Sequence, residues 1–177
     1  MIPDLDRVTS PAYLANLLTR PIGEIRAMRA EGQSIENGMS YVRRVAQGRI
    51  DIVAAELQRR RSGGDPTDLS ELVARLPDIL ADRQGSGRPI RAPHEITVDQ
   101  VADELLDDLD AILGPGAISD LTHRDEAELT ATRDALTEFE RKLSATRRAI
   151  HDTLDTLQAE LTRRYRTGEA TVDSLLQ

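Results

Sequence analysis

The sequence predicts an all-α protein framed by a long antiparallel two-helix coiled-coil hairpin with shorter accessory helices. Three observations carry that prediction. The composition is dominated by Ala, Leu, Glu, Asp and Arg, which favour helix. Its only aromatics are Tyr13, Tyr41, Phe139 and Tyr165, too few for the β-branched and aromatic faces of a sandwich or barrel. An apolar seam of Leu129, Leu136, Leu143, Ile150 and Leu157 advances by sevens, the spacing of coiled-coil packing. The segment that carries this seam also repeats an earlier stretch of the chain.

The elements follow in order. Ser10-Pro11 predicts a helix start, Ser capping and Pro in the first turn, and a short helix to about Leu18. Arg20-Pro21 interrupts it. One long helix is expected from Pro21 to Arg61, because Ile35, Met39, Val42, Ala46, Val53 and Leu57 advance by threes and fours. Gly32, Gly38 and Gly48 weaken it locally, Gly48 as a tolerated helix glycine or as a mark of close ligand or helix approach. Ser62-Gly63-Gly64-Asp65-Pro66 ends it. A short helix from Thr67 to about Ala81 is expected, capped by Thr67, and residues 83–94 read as a Gly- and Pro-rich loop. Thr97–Leu113 is an acidic amphipathic segment with Val101, Leu105, Leu106, Leu109, Ile112 and Leu113 on its apolar side. Ser119 is expected to cap the last long helix, which runs to about Arg166 and stops at Gly168. The chain thus divides into 1–61 with the first long helix, an acidic linker with short helices at 62–118, and 119–177 with the second long helix and a tail.

Charge and composition exclude several classes. The net charge is −8, which argues against direct DNA binding as the main task. Residues 62–140 carry 6 basic and 19 acidic groups, so the acid is concentrated in the middle of the chain. That segment reads either as a cap over the hairpin or as a surface for a basic partner. With no Cys there is no disulfide framework, thiol nucleophile or thiolate metal site. No stretch is long and apolar enough to span a bilayer and the first residues show no signal pattern, so a cytoplasmic protein without membrane contact is expected. His94, His123 and His151 lack metal-ligand spacing, and Ser40 and Ser144 lack the neighbours of a hydrolase nucleophile. No catalytic residue, metal or cofactor is expected.

Residues 36–60 align with 140–164 at a constant offset of 104, with ten of 25 positions identical and no gap. Both copies read Glu-x3-Ser-x2-Arg-x3-(Gln/His)-x3-Asp. Steps of three and four keep these side chains on one stripe beside the apolar seam. Antiparallel pairing of two like helices creates an approximate two-fold axis, so the natural ligand is itself symmetric or a symmetric pair. Arg donates to the O6/N7 edge of guanine. Asp accepts from its N1–H and amino group, and Ser and a second Arg suit phosphate oxygens. The stripe spans roughly 22 Å of helix, long for one cyclic dinucleotide and suited to two stacked together.

These stripes resemble the E(X)3S(X)2R(X)3Q(X)3D signature of the RsiG family, cyclic-di-GMP-dependent anti-sigma factors of actinobacteria. Glu36, Ser40, Arg43, Gln47 and Asp51 match at every position. Glu140, Ser144, Arg147, His151 and Asp155 depart once, with His for Gln. The resemblance implies a monomeric hairpin that binds two cyclic di-GMP molecules and, when liganded, holds a sporulation sigma factor of the WhiG type inactive. The nucleotide would be held by these ten residues together with Arg44 and Arg148, Glu36 and Glu140 orienting the arginines across the hairpin. The competing reading is a structural or adaptor coiled coil whose charged flank forms only ion pairs. Arg59-Arg60-Arg61 and Arg163-Arg164 read as helix C-terminal dipole partners.

Overall fold

The structure, a computed structural model, describes residues 2–65, 68–81 and 100–169. Among these residues there are helices and turns but no strands. The helices are α1 (Pro3–Thr9), α2 (Ile22–Arg61), α3 (Ser70–Ala81), α4 (Gln100–Ile112), α5 (Ala117–Asp120) and α6 (Glu126–Thr167). Short 3-10 turns at Pro11–Leu14, Leu17–Thr19 and Leu121–His123 join them. The expected loop at 83–94, the Thr67 cap, the start at Thr97 and His94 lie outside the described residues.

Helices α2 and α6 form the antiparallel hairpin along their whole length. Every residue of the expected α2 stripe is buried, as are Leu129, Leu136, Leu143, Ile150, Leu154, Leu157 and Leu161 of α6. Burying each such side chain contributes about 1.5–3 kcal/mol, and this seam is the main core. The acidic segment α4 packs its apolar side, Val101, Leu105 and Leu109, against α2 and α6. It therefore caps the hairpin, with Asp103, Asp107, Asp108 and Asp110 turned to solvent. Gly38 lets α4 approach: a Cβ there would sit 3.0 Å from Ala102 Cβ. Gly48 faces the Leu80 side chain of α3.

Two expected boundaries are corrected. Ser119 does not cap the last helix; it lies inside the single turn α5. Helix α6 starts at Glu126, where the Asp125 side chain accepts from Glu128 N–H and the Glu128 side chain accepts from Asp125 N–H. This reciprocal cap satisfies two orphan donors, which Ser119 alone cannot match. The helix expected from Ser10 to Leu18 is instead two 3-10 turns. Ser10 does cap the first, accepting from Ala12 N–H at 3.2 Å. Asn16 then takes a left-handed conformation (φ 56°), which breaks the helix. Helix α1 precedes these turns and was not foreseen; its Val8 is fully buried. At the far end Gly168 (φ 74°) stops α6 in the expected left-handed cap.

The duplication reaches well beyond the stripe. At the same offset of 104, Asp4-Leu5-Asp6 falls on Asp108-Leu109-Asp110, Pro11 on Pro115, Leu17 on Leu121, Arg20 on Arg124 and Gly64 on Gly168. The folded elements obey it: α1 corresponds to the second half of α4, each 3-10 turn before a long helix to the other, and α2 to α6. Each short helix docks on the long helix of the opposite copy. Thr153 of α6 donates to the Val8 carbonyl of α1, while Arg49 of α2, its counterpart, donates to the Leu113 carbonyl and pairs with Asp110 at 2.6 Å.

Candidate functional site: a mirrored polar stripe

The stripe lies beside the buried seam because its residues follow the seam residues by one position, about 100° around the helix. Antiparallel pairing then faces the start of one copy with the middle of the other. Glu36 Oε1 accepts from Ser40 Oγ at 2.9 Å on its own helix and from Arg147 Nε at 2.7 Å across the hairpin. His151 Nε2 lies 3.3 Å from the same oxygen. In the mirror place, Glu140 Oε1 accepts from Ser144 Oγ at 2.9 Å and from Gln47 Nε2 at 3.0 Å. Arg43 Nη1 stands 3.6 Å from it. Each half-site thus takes Glu and Ser from one helix and Arg and Gln or His from the other.

Eight of the twelve expected site residues are gathered in these two clusters. Glu36 and Glu140 meet the arginines across the hairpin. Asp51 is partly exposed and Asp155 exposed on the same stripes, one turn beyond Gln47 and His151. Arg44 and Arg148 are exposed at the outer margin, where the helix turn following Arg43 and Arg147 places them. Burial pushes the Glu36 carboxyl up, but the Arg147 and Ser40 hydrogen bonds and the nearby Arg147 and His151 charges outweigh it. They hold the group ionised below the ordinary carboxylate range. The face carries guanidiniums, hydroxyls and carboxylates that are mostly partly exposed, a set whose chemistry suits a polar, anionic, hydrogen-bonding ligand.

The arginine runs do more than meet a helix dipole. Glu56 is fully buried and accepts from Arg59 Nε at 2.8 Å and Arg60 Nε at 2.5 Å. Arg60 then reaches the Arg124 and Leu121 carbonyls at 2.6 and 2.5 Å, in the turn that leads into α6. The second copy repeats this. Glu160 accepts from Arg163 Nε at 2.9 Å and Arg164 Nε at 2.6 Å, and Arg164 reaches the Arg20 and Leu17 carbonyls at 2.6 and 2.8 Å before α2. Each long helix therefore clamps the entry turn of the other. The signal for this was the offset itself, which pairs Leu17 with Leu121 and Arg20 with Arg124 as well as the arginine runs.

A family model described as RsiG-like matches residues 11–80 and 115–177. It takes in both stripes and both clamped turns. No curated protein matches the chain.

Proposed function

The chain belongs to the RsiG-like family, and from that premise we propose that this RsiG-type regulator is a non-enzymatic anti-sigma factor gated by cyclic di-GMP. Two nucleotides would lie along the mirrored stripe, and the liganded hairpin would sequester a sigma factor of the WhiG type. The observation that carries this reading is the pair of Glu-Ser-Arg-(Gln/His) clusters, related by an approximate two-fold axis on one partly exposed face of the hairpin. A symmetric ligand pair suits a symmetric site.

The roles follow from side-chain chemistry. Arg43 and Arg147 read the guanine O6/N7 edge or hold phosphate, and Asp51 and Asp155 accept from guanine N1–H and its amino group. Ser40, Ser144, Gln47 and His151 complete the polar shell, and Arg44 and Arg148 add exposed charge for phosphate. Glu36 and Glu140 hold the arginines in place until ligand takes them over. Ligand that binds the sigma-competent arrangement more tightly than the alternative shifts the population toward it, and loss of ligand releases the sigma factor. The cross-hairpin ion pairs also suit a purely structural coiled coil, which predicts no nucleotide binding and only a modest stability loss from Arg43→Ala.

Calorimetric titration with cyclic di-GMP, with and without a WhiG-type sigma factor, separates the two. We expect saturation near two nucleotides per chain, an affinity loss above 100-fold (about 3 kcal/mol) in the Arg43→Ala/Arg147→Ala variant, and a sigma complex that forms only with nucleotide. Absence of heat at several temperatures, with and without the sigma factor, would overturn the ligand assignment.

A further inference from the structure

The two half-sites correspond residue for residue, yet they are not equivalent. The Glu36 side chain is 8% exposed and that of Glu140 22%. Arg147 gives its Nε–H to Glu36 at 2.7 Å, a short charge-assisted bond, and His151 adds a second donor position at 3.3 Å. In the mirror place the Arg43 contact with Glu140 is long, 3.6 Å, and Arg43 Nε is buried with no hydrogen-bond partner among the described residues. A buried donor without an acceptor is destabilising until one arrives. An acceptor presented to Arg43 fills that need, whereas the same acceptor presented to Arg147 must displace a carboxylate.

We infer that the half-sites load in order: the Arg43 half takes the first nucleotide, the Arg147 half takes the second only as Arg147 leaves Glu36, and His151 sets the strength of that second step. This rests on the nucleotide-binding reading above. Gln47, the counterpart of His151, offers Glu140 a neutral amide at any pH. His151 Nε2 stands 3.3 Å from the Glu36 oxygen that holds Arg147, so the imidazole can take over that oxygen and free the guanidinium. The charged groups around His151 are Glu36 from α2 and, on its own helix, Arg147 one turn before and Asp155 one turn after, with Arg148 and Asp152 exposed alongside. Helix α1 docks on the Thr153 side of α6, away from this face. The second step therefore depends on residue 151, and the first does not.

The test is calorimetric titration of the full chain with cyclic di-GMP, for wild type, Arg43→Ala, Arg43→Lys, Arg147→Ala and His151→Gln, each with its helical content checked by circular dichroism. We expect two wild-type steps at least tenfold apart. Arg147→Ala should keep the tight step and lose the weak one. Arg43→Ala should lose the tight step, and Arg43→Lys, which keeps the charge without the fork, should weaken it at least tenfold. His151→Gln should bring the two steps within about threefold. A single two-nucleotide step in wild type, or loss of the tight step in Arg147→Ala, overturns the ordered loading. No binding in wild type overturns the nucleotide reading itself, a distinguishable result.

Discussion

Glu160 is a single carboxylate held between two guanidiniums, and its titration is readable in stability. The hydrogen bonds from Arg163 and then Arg164 hold its carboxyl down to about 2, against about 4.5 in an unfolded chain. A depressed carboxylate stabilises the fold at neutral pH. That contribution is complete above about 4.5 and is lost as pH falls from 4.5 toward 2. Arg163 is partly exposed, so solvent screening reduces the value to about 1–2 kcal/mol. Urea unfolding of wild type and Glu160→Gln should differ by that amount at pH 7 and converge near pH 2; a constant difference would show that the bonds do not depend on the charge. The stripe Glu36-Ser40-Arg43-Gln47-Asp51 was legible in the sequence because helix periodicity alone places it. The Glu160 cluster was not, because a run of arginines at a helix end reads the same whether it meets solvent or the neighbouring turn. Only folding brings Arg164 to the carbonyls of Leu17 and Arg20.

At the scale of elements, long helices were legible and short ones were not. Forty residues of regular periodicity specify α2, and its seam is buried residue for residue as the spacing predicts. Helix α1 has only seven residues, too few to show a period, and it persists because Val8 is buried against the hairpin. The start of α6 was misplaced by one competing cap. Ser119 and Asp125 both suit an N-cap, and the Glu three residues after Asp125 decides between them. The glycines of α2 give an element-scale test. Nothing lies within 4 Å of a Cβ placed at Gly23, so Gly23→Ala should stabilise by about 0.5–1 kcal/mol through helix propensity. At Gly38 a Cβ already meets Ala102 at 3.0 Å, so Gly38→Val should cost about 1–3 kcal/mol by pushing α4 away. Hydrogen exchange should locate that loss: α4 amides open faster while the α2–α6 seam keeps its protection. Equal loosening of both would mean that α4 is integral to the hairpin and not a cap on it.

The molecule as a whole is one unit written twice, from Asp4–Gly64 to Asp108–Gly168, with each copy clamped by the other. The sequence displayed the central part of that duplication, where polar identities are dense. The outer parts carry scattered matches such as Pro11 with Pro115, which acquire meaning only once both fall in turns before a long helix. The two clamps sit at opposite ends of a hairpin whose 40-residue helix is about 60 Å long, and they share no side chain. Their effects should therefore add. Glu56→Gln and Glu160→Gln should each destabilise the fold, and the loss in the double variant should equal their sum within about 0.5 kcal/mol. Addition of this kind also requires the hairpin to unfold as one cooperative unit. Tyrosine fluorescence in a Tyr41→Phe background provides the check, because the two remaining tyrosines, Tyr13 and Tyr165, both lie in the Arg164 half, bonded to Glu31 and Arg26. Glu56→Gln acts at the other end, so in a single cooperative unit it must shift the tyrosine transition as far as it shifts helix loss by circular dichroism. A tyrosine transition that stays in place while the helical signal moves would show that the ends unfold separately. Ligand occupying one half-site would then have no rigid body through which to act on the other.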